Sequence, residues 1–207
     1  MGRSGRYGKY GETKRLERLR GAKKRQGRNQ EKIVSSRIAP GYKIERVQRN
    51  QIRIRSARPS DVGFIKRLSK VLFAQYGPYE DLLPGWFEAG MTLTLLAIQG
   101  KGLMGVSMLS RLDPSRPFPH VGEVLAIGVE PGKRRLGAGD LLMKGLTENA
   151  REIGIKRLFL HTASDNVPAQ SLFKKHGFVE LGVKRRFYPE GQDALMMYKE
   201  ILPGSSP

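Results

Sequence analysis

The chain has 207 residues and a formal charge of +19, from 38 Lys and Arg against 19 Asp and Glu. That length suits one ordinary domain with an appendage, or two very small domains. The absence of cysteine excludes disulfide scaffolds, thiolate zinc sites, iron–sulfur clusters and a cysteine nucleophile together. No run approaches the roughly 18 consecutive apolar residues of a membrane span, and Met1-Gly2-Arg3-Ser4-Gly5-Arg6 leads into no apolar core. A cytoplasmic chain without a secretory signal and without a membrane partner is the expectation.

The charge is concentrated at one end. Residues 1–58 carry 19 of the Lys and Arg against four acidic residues, whereas the remainder is nearly balanced. The first 50 residues therefore read as a basic arm, densest over Lys14, Arg15, Arg18, Arg20, Lys23, Lys24, Arg25 and Arg28. Leu16 and Leu19 are too few to bury a helix face, so the arm is expected to be disordered without a partner. Lys and Arg laid on phosphates release condensed counterions, which makes RNA the expected partner of these eight residues. A membrane-surface helix would need bulky apolar residues opposite its charges, and they are missing.

From residue 51 onward apolar periodicities begin. Gln51–Ala57 alternates as a strand, Ser60 or Asp61 caps a helix running to about Phe73, and a short helix is expected over Tyr79–Glu88. Thr92–Gln99 and Leu103–Leu112 read as strands joined by the Gly100-Lys101-Gly102 turn. Glu123–Val129 reads as a buried strand and Gly137–Ile153 as a helix with Leu142, Leu146 and Ala150 inward. Arg157–His161 is a strand, Val167–Lys175 a helix, and Phe178–Tyr188 and Ala194–Glu200 two final strands. Interleaved helices and strands with an antiparallel end indicate an α+β domain around one sheet, over residues 51–202, with 203–207 as a flexible tail.

Gly100-Lys101-Gly102-Leu103-Met104-Gly105 has dinucleotide-binding spacing but runs into a strand, where that motif needs a helix. Arg134-Arg135-Leu136-Gly137-Ala138-Gly139 lies between a strand and a helix, where converging backbone N–H groups suit a phosphate; a basic turn capped by glycines reads equally well. His120, His161 and His176 lack metal-ligand spacing, so no metal is expected.

The loop Arg134, Gly137, Gly139 and the run Asn166, Ala169, Leu172, Phe173, Gly177, Phe178 together resemble the GNAT superfamily of acetyl-CoA-dependent N-acetyltransferases. The ending Arg185-Arg186-Phe187-Tyr188-Pro189-Glu190-Gly191-Gln192-Asp193-Ala194 is similar to the RimI-like branch, which acetylates protein N-termini. The resemblance implies a mixed, largely antiparallel sheet with a splayed strand pair and flanking helices. It implies that the backbone of Ile127, Gly128 and Val129 holds the pantetheine arm of acetyl-CoA. Backbone N–H groups of Arg135, Leu136, Gly137, Ala138, Gly139 and Asp140 would hold its pyrophosphate, with Arg134 opening the loop. Asn166, Ala169 and Phe173 would adjoin the same cofactor.

Amine attack on a thioester requires an acceptor for the ammonium proton. Glu123 stands where many members of the superfamily place a general base; a strand-start glutamate in a solvated ion pair is the plain alternative. The branch usually has a proton-donating tyrosine after Leu172. Phe173 cannot donate, which leaves Tyr188 or His176 as substitutes. The combined expectation is an N-acetyltransferase for a protein N-terminal amine, tethered by its arm to RNA, with ribosomal RNA as the expected partner. The alternative is a ribosome- or RNA-bound structural protein that keeps this fold without turnover.

Overall fold

The computed structural model describes residues 51–110 and 120–201. The basic arm, with all eight expected RNA-binding residues, lies outside the described residues, as do Leu112 and the tail 203–207. The strands are β1 (Ile52–Ser56), β2 (Thr92–Gln99), β3 (Gly102–Ser110), β4 (Val121–Val129), β5 (Arg157–Ala163), β6 (Val179–Lys184) and β7 (Ala194–Glu200). The helices are α1 (Val62–Phe73), α2 (Tyr79–Glu88), α3 (Ala138–Glu152) and α4 (Val167–Lys175).

The seven strands form one sheet in the order β1-β2-β3-β4-β5-β7-β6. Every neighbouring pair is antiparallel except β4 and β5, which run parallel. The core lies on both faces of the sheet. One face buries Leu142, Leu146 and Ala150 of α3 against Leu95, Met104, Leu109 and Leu158. The other buries Ile65 and Leu68 of α1 against Leu96, Val106 and Met108. Burial on two sides explains why β3 is an almost unbroken apolar run rather than an alternating one. Each fully buried aliphatic side chain contributes roughly 1.5–3 kcal/mol.

Two expectations need correction. Ser60 and Asp61 lie in a 3₁₀ turn before α1, and Asp61 does not cap the helix through its side chain. Its carboxylate instead accepts from the Arg55 guanidinium at 2.7 and 2.9 Å and from Arg58 N at 2.6 Å. The strand expected to reach Tyr188 ends at Lys184. The chain turns there because Arg186 takes a left-handed φ of 48°, and its N–H donates to the Asp193 carboxylate at 2.8 Å. The turn at Gly100-Lys101-Gly102 is as expected: it joins β2 to β3 in a hairpin, with Gln99 paired to Gly102.

The feature that positions the site is a fork in the sheet. β4 stays paired with β3 to its end, Val129 opposite Gly105. Its pairing with β5 stops at Val124↔Leu160, and β5 continues to Ala163 against β7. From Leu125 to Val129 one backbone edge of β4 therefore faces a gap. On its other side Gly128 lies so close to α1 that a β-carbon there would stand 2.2 Å from Leu72 Cδ1.

Candidate active site

At the wide end of the fork the chain leaves β4 through a 3₁₀ turn at Pro131–Lys133 and enters α3. Lys133 Nζ donates to the Leu103 carbonyl at 2.8 Å, and Arg134 Nε donates to the Val129 carbonyl at 3.2 Å. Both bonds hold the loop down on the strands it leaves. Arg135 and Gly137 then adopt left-handed φ values of 62° and 86°, which turns successive N–H groups the same way. Among the described residues no backbone carbonyl outside the helix accepts from the N–H groups of Arg135 through Asp140. The first turn of a helix offers no acceptor of its own. A β-carbon on Gly137 would meet nothing within 4 Å. The loop is thus an open cradle of donors at a helix N-terminus, the environment a pyrophosphate needs.

Leu136 is exposed, Ala138 is buried against the core, and Gly139 lies against Leu172 of α4. Asp140 turns away from the cradle to the end of α4, where its carboxylate meets Lys175 Nζ at 2.7 Å and His176 Nε2 at 3.0 Å. Lys175, then His176, hold this carboxyl below its ordinary range. That pairing joins the first turn of α3 to the end of α4 and engages His176 Nε2. Asn166 caps α4, its Oδ1 accepting from Ala169 N at 3.3 Å, and Ala169 packs on the core. Phe173 is only 4 % exposed and packs on Phe178 in a tilted arrangement, ring centroids 5.8 Å apart. Its ring belongs to the core.

At the narrow end of the fork is an open cleft of about 280 Å³, with Glu123 and His161 among its walls. Ser110 also lines it, and its hydroxyl oxygen accepts from Glu123 N at 2.9 Å. Glu123 Oε1 lies 3.3 Å from His161 Nδ1. The apolar walls are Val121, Phe159, Leu181 and Met196. His161 was not anticipated as a site residue. The available signal was its position on β5, one polar side chain alternating with the apolar Leu158 and Leu160.

Tyr188 is not in the walls of this cleft. The β6–β7 loop carries it onto the α1–α2 segment, where it lies 4.9 Å from Tyr76 and 6.4 Å from Tyr79, centroid to centroid. Burial pushes its hydroxyl well above the ordinary tyrosine range. A phenol so shifted stays protonated at neutral pH and is a weaker acid than a free tyrosine. The same loop is tied down by Gln192 Nε2, which donates to the Gln75 carbonyl at 2.6 Å.

Known proteins share this architecture. The profile of the acetyltransferase (GNAT) family matches residues 64–178. An N-alpha-acetyltransferase of Sulfurisphaera tokodaii is 29 % identical over 71 % of this chain and 92 % of its own length. The N-alpha-acetyltransferase RimI of Mycobacterium tuberculosis is 35 % identical over 50 % of this chain and 63 % of its own. The crystal structure of the ribosomal-protein-S18-alanine N-acetyltransferase from Escherichia coli superposes with a TM-score of 0.63 at 20 % identity, covering 76 % of this chain and 99 % of that one. Acetyl-CoA is the acyl donor of this family, and solved neighbours of the fold include complexes with acetyl-CoA and with CoA. The chain belongs to the acetyltransferase (GNAT) family, on its RimI-like branch.

Proposed function

We propose that this protein transfers the acetyl group of acetyl-CoA to the N-terminal amine of a peptide or protein. The observation that carries this reading is the fork itself. Its wide end opens beside the cradle of N–H donors, and its narrow end, at Val124↔Leu160, adjoins the cleft with Glu123 and His161. A thioester and an amine approaching from opposite ends would meet there, already oriented, which converts a bimolecular step into an effectively unimolecular one.

Bound acetyl-CoA supplies a carbonyl that is electrophilic because its leaving group is a thiolate. Arg135 to Asp140 would hold the pyrophosphate through backbone N–H groups, and the free edge of Ile127, Gly128 and Val129 would hold the pantetheine amides. Asn166 has its amide nitrogen left for the same ligand, since only Oδ1 serves the α4 cap. Glu123 and His161 accept the proton that the ammonium must lose. Leu181 and Met196 offer apolar surface to the first side chain of the peptide.

The basic arm supports the second half of the reading, that the enzyme is tethered to RNA, with the ribosome as the site where protein N-termini are met. A tether raises the local concentration of substrate without any new contact at the site. One observation favours a non-catalytic alternative: Phe173 brings no hydroxyl to the helix that borders the fork.

Calorimetric titration of acetyl-CoA into the full chain, followed by a thiol-release assay with N-terminal peptides, decides between them. Binding with turnover is expected. Binding without turnover would leave the structural alternative, and no binding would overturn the cradle assignment. Removal of residues 1–50 is expected to abolish salt-sensitive RNA binding, with log K otherwise falling steeply against log salt. An unchanged salt slope would overturn the tether.

A further inference from the structure

Asp140 is the acidic residue in the first turn of α3, three positions after Gly137, where the helix opens. An acidic side chain at that spacing commonly reaches back to the N–H of the opening residue, at the positive end of the helix dipole. The chain makes such a reach elsewhere. Asp61 stands three positions after Arg58 and accepts from Arg58 N at 2.6 Å. Left to itself, Asp140 has the same opportunity, and the N–H groups within its reach are those of the cradle.

The fold directs the carboxylate elsewhere. Oδ1 of Asp140 is held by Lys175 Nζ at 2.7 Å and by His176 Nε2 at 3.0 Å. α4 brings both groups there by packing on the first turn of α3, where a β-carbon on Gly139 would stand 3.5 Å from Leu172 Cδ2. Lys175 closes α4 and His176 is its C-cap, at the helix end that favours positive charge. The neighbouring Lys174 pairs instead with Glu180 of β6 at 2.7 Å. The side chains of Asp140 and Lys175 are 40 % and 66 % exposed, and pairs so open to water contribute little to stability. What the pairing changes is where a negative charge sits.

We propose that Lys175 and His176 are positioning residues for acetyl-CoA: they hold the Asp140 carboxylate at the end of α4 and so keep the N–H groups at the start of α3 free for the pyrophosphate. The proposal rests on the acetyl-CoA reading above and adds to it a requirement carried by side chains outside the cradle. A released carboxylate would be an internal competitor. Its oxygens accept from backbone N–H groups as those of a phosphate do, and its charge repels one. Such a competitor is effective because its local concentration is set by a few bonds of chain.

The test uses the full chain, with calorimetric titration of acetyl-CoA and amide nuclear magnetic resonance spectra recorded without it. The double variant Lys175→Met with His176→Leu removes both donors and is expected to weaken acetyl-CoA by about three- to thirtyfold. Adding Asp140→Ala to that pair should recover most of the loss, because no carboxylate is left to enter the cradle. In the spectra the Gly137 and Ala138 amide protons should move downfield in the double variant and return in the triple. Lys175→Met alone, at an exposed position, serves if the double variant fails to fold. It should give a smaller loss, again recovered by Asp140→Ala. A pairing that merely joins α3 to α4 predicts that removing Asp140 as well recovers nothing. That result overturns the proposal alone, as does an unchanged affinity or a pair of amides that stay in place. A wild type that binds no acetyl-CoA overturns it together with the cradle.

Discussion

Gly77 and Pro189 touch, although 112 positions of chain separate Gly77 from that proline: a β-carbon at Gly77 would stand 2.8 Å from Pro189 Cγ. Gly77 has a φ of 135°, in a region that side chains of the L series rarely adopt. With the Tyr76–Tyr188 contact and the Gln192–Gln75 hydrogen bond, this joins the β6–β7 loop to the α1–α2 segment. Gly77→Ala should break the join, because both the backbone and the proline ring resist it. A loss of about 1–3 kcal/mol in chemical denaturation is expected. The KM for peptide should rise while the Kd for acetyl-CoA stays close to wild type. A variant as stable as wild type would show that the loop yields freely.

Glycine at position 105 is demanded by a backbone rather than by a turn. A β-carbon there would lie 2.5 Å from the Gly128 carbonyl oxygen and 3.2 Å from Leu142 Cδ1. Gly105→Ala must therefore push β3 and β4 apart at the fork, and about 2–3 kcal/mol of stability should be lost. Thermal unfolding of the purified variant measures this directly.

Arg55 and Asp61 form the best-defined ion pair of the domain, with side chains 27 % and 7 % exposed. The Arg55 guanidinium, helped by the Arg58 N–H, holds the Asp61 carboxyl below its ordinary range. A carboxyl depressed on folding contributes its stability above the unfolded value of about 3.9, and that contribution is lost as pH falls through the folded value. Asp61→Asn should cost about 1–3 kcal/mol at neutral pH. The gap between variant and wild type should close below about pH 4, as followed by denaturant titration across pH.

The cradle predicts a charge effect separable from a shape effect. Gly137→Ala and Gly137→Glu carry the same strain at a φ of 86°, about 1 kcal/mol, and neither β-carbon meets a neighbour. Only the glutamate puts a negative charge where the pyrophosphate would lie. Gly137→Glu should weaken acetyl-CoA by at least about tenfold relative to Gly137→Ala. Equal affinities in calorimetry would mean that the phosphates lie elsewhere.

Much of this was written in the sequence, for a local reason. Helix and strand periods, the glycines of the loop and the cap at Asn166 act over a few residues, so α2, β2, α4 and β7 are found with the bounds their patterns suggest. The same locality explains the strand expected to reach Tyr188: Val179, Leu181 and Val183 alternate and the strand-forming Phe187 and Tyr188 follow, but the turn at Arg186 depends on Asp193, seven residues on. The pair of glycine and asparagine motifs likewise marks the proposed acyl-donor side of the site, because backbone N–H groups need only the right local turn.

What the sequence determined, then, is the order of elements and the loop at the N-terminus of α3. What the tertiary structure alone decided is which side chains meet. Glu123 and His161 come together only because β4 and β5 run parallel for four residue pairs and then part. Tyr188 and His176 are both candidate substitutes for the absent tyrosine in the chain, and the structure packs one among tyrosines and pairs the other with Asp140. Sheet register and helix packing act across tens of residues, and no spacing rule within the chain encodes them.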